Sequence, residues 1–191
     1  GAIMTADLYD FDKTLYPRDS ASEFWLFCLK RHPRLLKYLP RQIFAAIKFM
    51  FKKTDLTKFK EEFFCFVKGI DAEKEAEEFW AKNRHKIFSW FDPKSNDAET
   101  VVCSASPEFE ISPVLKELGV KFIIGSKADP KTGKFLSKNC KGEEKVRRIK
   151  EECPGFVFRN AYTDNPKSDA PLLSLAQNKF LIKNGEIIPL D

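Results

Sequence analysis

A chain of 191 residues with 43% hydrophobic and 32% charged side chains fits one α/β domain with an inserted subdomain and a substantial core. Its net charge of +5 is modest, and no Gly- or Arg-rich recognition motif accompanies it, which argues against a nucleic-acid partner; no window approaches the roughly 18 uninterrupted apolar residues of a membrane-spanning helix. Five cysteines, with no Cys-x-x-Cys pair and two histidines, His32 and His85, to join them, argue against a zinc site or disulfide framework, and reduced thiols imply a cytoplasmic location.

The first predicted element is an apolar stretch, Ala6-Asp7-Leu8-Tyr9, running into Asp10-Phe11-Asp12-Lys13-Thr14-Leu15. If the stretch is a strand, Asp10 and Asp12 point to one face, and two carboxylates so close need a cation or a shared proton. An Asp-x-Asp pair also serves turns, where Asx side chains bond nearby backbone. Ser20 and Glu23 then have capping-box spacing and predict a helix start. That helix carries Phe24, Trp25, Phe27, Cys28 and Leu29 and stops near His32-Pro33. A second helix is predicted from Arg34 to about Lys53, broken or kinked at Pro40. A third runs from Asp55 to Lys68 and ends at Gly69, and a fourth from Ala72 to Trp90 behind an Asp71 cap.

Residues 30–53 carry Lys30, Arg31, Arg34, Lys37, Arg41, Lys48, Lys52 and Lys53 with no acidic residue, interleaved with Leu, Ile, Phe, Tyr and Met. Such a segment suits an anionic membrane surface, or equally a helix that packs its apolar side and solvates its charges.

Asp92-Pro93 and the polar residues after it return the chain to a second strand, Thr100-Val101-Val102-Cys103. It ends in Ser104-Ala105-Ser106-Pro107. A hydroxyl at a strand end beside free N–H groups of a helix start makes an anion cradle, while either serine could instead cap that helix. A helix over Glu108–Leu118 ends at Gly119, a strand follows over Val120–Gly125, and Pro130-Lys131-Thr132-Gly133 reads as the turn of a loose hairpin. Gly142 to Ile149 reads as a helix start containing Lys145. Gly155 to Tyr162 contains a strand, with Asp164 and Asp169 beyond it. This alternation predicts a parallel sheet flanked by helices, with its chemistry at the carboxyl ends of the strands.

Asp10-Phe11-Asp12-Lys13-Thr14-Leu15 resembles the first motif, Asp-x-Asp-x-Thr-Leu, of the haloacid dehalogenase superfamily of phosphohydrolases. Ser104, Lys145 and the Asp164/Asp169 pair are similar to its three later motifs, in order along the chain. The gap from Asp164 to Asp169 is one residue longer than in many members of this branch, and Ser168 lies beside it. The resemblance implies a Rossmann-like core over residues 1–18 and 93–191 and a small helical cap of C1 type over 19–92. That cap is found in the branch with phosphoserine phosphatase and several lipid-phosphate phosphatases. It further implies Asp10 as nucleophile, Asp12 as general acid and base, and Lys145 as charge balance. Ser104 and the backbone at Ala105 would hold phosphate. Mg²⁺ would lie on Asp10, the carbonyl of Asp12 and Asp164, with Asp169 supporting the metal or Lys145. Asp19 stands where phosphoserine phosphatases place an acid that reads the substrate amine, or it starts the first cap helix. The expected activity is Mg²⁺-dependent hydrolysis of a small-molecule or lipid-headgroup phosphomonoester through an aspartyl-phosphate. The alternatives are a phosphotransferase with the same intermediate and a basic interaction module at a membrane surface. In the membrane case the protein would sit peripherally on the inner membrane face.

Overall fold

The computed structural model describes residues 2–191. Its strands are β1 (Met4–Tyr9), β2 (Glu99–Pro107), β3 (Phe122–Ser126), β4 (Phe156–Thr163), β5 (Ala176–Lys183) and β6 (Glu186–Leu190). They form one sheet in the order β3-β2-β1-β4-β5-β6, parallel except for β6, which runs antiparallel to β5. The helices are α1 (Ser20–Arg31), α2 (Leu39–Met50), α3 (Leu56–Phe63), α4 (Ala72–Asn83), α5 (Glu108–Glu117), α6 (Glu143–Glu152) and α7 (Ala170–Leu173). This is the Rossmann-like α/β architecture expected from the alternating strand and helix signals.

Residues on alternate sides of β1 enter different apolar clusters, as the two-residue strand period requires. Ala6 and Leu8 pack with Val101, Cys103, Ile149, Phe158 and Leu172. Tyr9 and Phe11 pack with Phe24, Phe66, Phe79, Trp80, Val102 and Ile111. The second cluster joins the sheet to the helices between β1 and β2. Trp80, buried in it, donates from Nε1 to the Glu110 carbonyl at 2.6 Å.

Four helical stretches between β1 and β2 were expected, and four α-helices occupy that span, with different limits. Asp19, not Ser20, is the N-cap of α1: its carboxylate accepts the Ser22 N–H at 3.0 Å. Glu23 takes the Tyr16 hydroxyl at 2.5 Å, so the capping-box spacing is present without the box. A 3₁₀ turn (Pro33–Tyr38) precedes α2, whose first turn contains Pro40. Another (Phe64–Gly69) completes α3. Helix α4 ends at Asn83, seven residues before Trp90, because Ile87, Phe88, Trp90 and Phe91 satisfy their packing in a loop. There Phe88 N–H reaches the Leu15 carbonyl at 3.0 Å and Trp90 Nε1 the Gly185 carbonyl at 3.0 Å. The β5–β6 hairpin turns at Asn184 and Gly185, with φ of 50° and 81°, the left-handed pair that tight hairpins prefer. Among the described residues no helix is long and apolar enough to cross a membrane.

Candidate active site

Strand register gathers residues that lie far apart in the chain. Tyr9 pairs with Val102 on one side and Tyr162 on the other, and Asp10 N–H donates to the Tyr162 carbonyl at 3.0 Å. Asp10 therefore leaves β1 between the chain leading to Ser104 and the chain leading to Asp164. Asp10 and Asp164 directly follow β1 and β4, and Ser104 lies in the carboxyl half of β2, the side on which α/β sheets place their ligands.

A pocket of about 320 Å³ opens there, lined by Asp10, Asp12, Asp19, Lys60, Ser104, Ala105, Lys145, Asp164 and Asp169 among others. Every residue the sequence reading assigned to the site borders it. Lys145, on the first turn of α6, is buried with its ammonium 3.0 Å from Asp10 Oδ1 and 3.0 Å from Asp169 Oδ1. Burial acts first to lower its proton affinity, but Asp10 and Asp169 outweigh it and the pKa is raised. The longer spacing after β4 does not displace the second acid: Asp169 meets Lys145, and Thr163 Oγ1 donates to its other oxygen at 2.6 Å.

Thr14 sits between the two carboxylates that follow β1 and β4. Its Oγ1 is 3.4 Å from Asp10 Oδ2 and 3.3 Å from Asp164 Oδ1, and it accepts the Asp164 N–H at 3.0 Å. Asp10 is pushed up to about 7, chiefly by burial, with Lys145 opposing and Asp169 and Asp164 adding to the rise. Asp10 and Asp169 share the Lys145 ammonium, while Asp164, held against Thr14, adds a further carboxylate at the same pocket. A hard cation on Asp10, Asp164 and the Asp12 carbonyl would balance that negative charge, and an all-oxygen donor set suits magnesium.

Asp12 is held differently. Ser20 N–H donates to Oδ1 at 2.8 Å and Ser106 Oγ to Oδ2 at 2.5 Å. Burial raises its pKa, against the lowering effect of those donors. Ser106 therefore serves Asp12, and Ser104 Oγ accepts the Ser106 N–H at 3.0 Å. Neither serine caps α5, whose N-cap is Pro107 with no side-chain hydrogen bond. Asp19 borders the pocket while one of its oxygens caps α1.

Sequence reasoning missed Lys60. From α3 its ammonium donates to the Ala105 carbonyl at 3.0 Å and to Asn139 Oδ1 at 2.8 Å. Burial lowers its pKa to about 8, opposed by Asp12 and Asp19. No local signal separates it from the other lysines, since its position depends on how α3 lies over the sheet. Thr14 was visible in the first motif without an assigned task. All five cysteines are free and buried, with Cys103 Sγ 3.8 Å from Cys140 Sγ. Burial holds the Cys103 thiol far above its ordinary pKa, which fits a small core residue rather than a nucleophile.

A family model described as haloacid dehalogenase-like hydrolase matches residues 8–174. Protein CicA of Caulobacter vibrioides is 26% identical over 187 residues, covering 90% of this chain and 82% of that one. A protein of unknown function from Bordetella pertussis Tohama I superposes with a TM-score of 0.72 at 18% identity, over 93% of this chain and 89% of that chain. A phosphoserine phosphohydrolase-like protein from Francisella tularensis gives 0.58 at 17%, over 92% and 86%. At these identities the two structures bear on the fold.

Proposed function

Since the chain belongs to the haloacid dehalogenase-like hydrolases, we propose that it hydrolyses phosphomonoesters through an aspartyl-phosphate on Asp10. The observation that carries this reading is the meeting of Asp10, Asp12, Ser104, Lys145 and Asp164 at one pocket. In this reading residues 1–18 and 93–191 form the catalytic core and residues 19–92 its helical cap.

The Asp10 carboxylate attacks phosphorus in line, forming an O–P bond as the bond to the leaving oxygen breaks. Asp12 gives that oxygen its proton, and burial favours the protonated form this step needs. Asp12 then takes a proton from the water that attacks phosphorus, releasing inorganic phosphate and restoring Asp10. The Ser20 N–H and Ser106 hydroxyl hold Asp12 in place through both half-reactions. Lys145 and the Ser104–Ala105 segment face the phosphoryl oxygens, since phosphoryl transfer depends on positioning and charge neutralisation. Asp10, Asp164 and the Asp12 carbonyl would hold magnesium, whose positive charge would offset the negative charge of the phosphoryl oxygens.

The substrate class is a small-molecule or lipid-headgroup phosphate, and peripheral contact of residues 30–53 with an anionic membrane would favour the lipid. Asp10→Asn should keep the wild-type circular dichroism and melting curve and lose Mg²⁺-dependent phosphate release by at least about 10³-fold. Retained release in a clean preparation rules out this nucleophile. Discharge of a trapped phosphoenzyme by an added alcohol rather than by water would make the protein a phosphotransferase.

A further inference from the structure

Helix α2 buries the wrong side of itself. Its buried residues are Gln42 and Ala45. Its large apolar side chains look outward: Ile43 is 50% exposed, Phe44 61%, Ile47 45% and Met50 74%, with Phe51 beyond the helix end at 68%. Positions 43, 47 and 50, and likewise 44 and 51, fall on one helical stripe. A helix that packs on a core shows the opposite arrangement, and a contiguous apolar face of this size marks an interaction site.

The rim of that face is cationic. Among the described residues the acids that pair with this segment come from elsewhere: Glu75 binds Arg31 and Glu62 binds Arg41. Arg34 donates to the Gly69 carbonyl. Lys30, Lys37, Lys48, Lys52 and Lys53 form no ion pair among the described residues, and Lys48 lies over the Phe44 ring at 5.0 Å. Lys48, Lys52 and Lys53 flank Met50 and Phe51 along the chain.

We propose that the outer face of α2 docks on an anionic lipid bilayer, its aromatic and aliphatic side chains entering the interface and its lysines meeting the headgroups. Exposed apolar side chains flanked by unpaired lysines match that partner in both respects. Helix α3, against which α2 packs through Phe49 stacked on Phe59 at 5.1 Å, carries Leu56 and Lys60 of the pocket. The docking helix is therefore joined to the pocket through α3. The surface itself carries this inference, and the step from docking to a lipid-borne substrate rests on the phosphomonoester reading.

The test is co-sedimentation with vesicles of equal parts phosphatidylglycerol and phosphatidylcholine, beside pure phosphatidylcholine vesicles. The wild type should pellet with the anionic vesicles alone, and the bound fraction should fall as salt rises to about 0.5 M. Phe44→Ser with Phe51→Ser, and separately Lys48→Glu with Lys52→Glu, should each weaken binding by about 10-fold or more. Absence of binding at low salt overturns the proposal, as does equal binding by both variants. A dimer in sedimentation velocity that Phe44→Ser with Phe51→Ser dissociates overturns it in favour of a second copy on this face. Asp10→Asn should still bind vesicles, and the surface variants should still hydrolyse p-nitrophenyl phosphate, so each reading fails in its own assay.

Discussion

Glu110 lies wholly buried on α5, with Ser20 Oγ 3.3 Å from one oxygen and no partner for the other. Burial, then the nearby Asp12, raises its pKa well above 4.5, so the folded protein keeps a proton that the unfolded chain releases. Stability from this group is present in full below the unfolded value and is lost as pH rises toward the folded one. Glu110→Gln removes that titration. Relative to wild type it should therefore gain stability steadily as pH rises from about 4.5 toward neutrality, in urea unfolding series across pH. A variant that parallels the wild type at every pH would show Glu110 to be ionised in the fold. Ser20 links this carboxyl to the pocket, because its hydroxyl meets Glu110 and its N–H holds Asp12.

At the level of elements, Gly133 shows how a loop becomes a joint. Its φ is 78°, and a Cβ there would lie 2.3 Å from the Phe64 carbonyl oxygen. The Ala128–Phe135 turn needs both the left-handed backbone and the missing side chain to lie against the 3₁₀ segment after α3. Gly133→Ala should cost about 2 kcal/mol, read as a lowered Tm by calorimetry, whereas the open Gly155 should tolerate Ala better. Much of the site could be read from the chain because Asp10, Ser104 and Asp164 directly follow apolar strand patterns whose ends a parallel sheet brings together. Lys60 and Glu110 could not, since their roles depend on which side of α3 meets the pocket and which side of α5 is buried beside Ser20. The early end of α4 was hidden because Ile87, Phe88, Trp90 and Phe91 continue an apolar pattern that a packed loop satisfies as well as a helix. The C-terminal hairpin went unread although Asn184-Gly185 is a strong local turn signal.

Across the whole molecule, the cluster around Phe24, Phe66 and Trp80 also contains Tyr9, Phe11, Val102 and Ile111 of the sheet and its flanking helix. Helices and sheet thus share one core and should unfold together. All three tryptophans, Trp25, Trp80 and Trp90, lie in residues 19–92. Tryptophan fluorescence therefore follows that segment while far-ultraviolet circular dichroism follows the entire chain. The two thermal transitions should coincide; a fluorescence midpoint several degrees lower would mean a separately melting unit. Helix α3 adds hydrogen bonds to the end of β2 and to the segment after β3: Thr57 accepts from Asn139 N–H at 3.1 Å, Glu61 from Phe135 N–H at 2.9 Å, and Lys60 reaches Ala105 and Asn139. The Lys60 ammonium thus ties α3 to the backbone beside Ser104, so a change made on that helix would be felt at the strand end, far away in sequence.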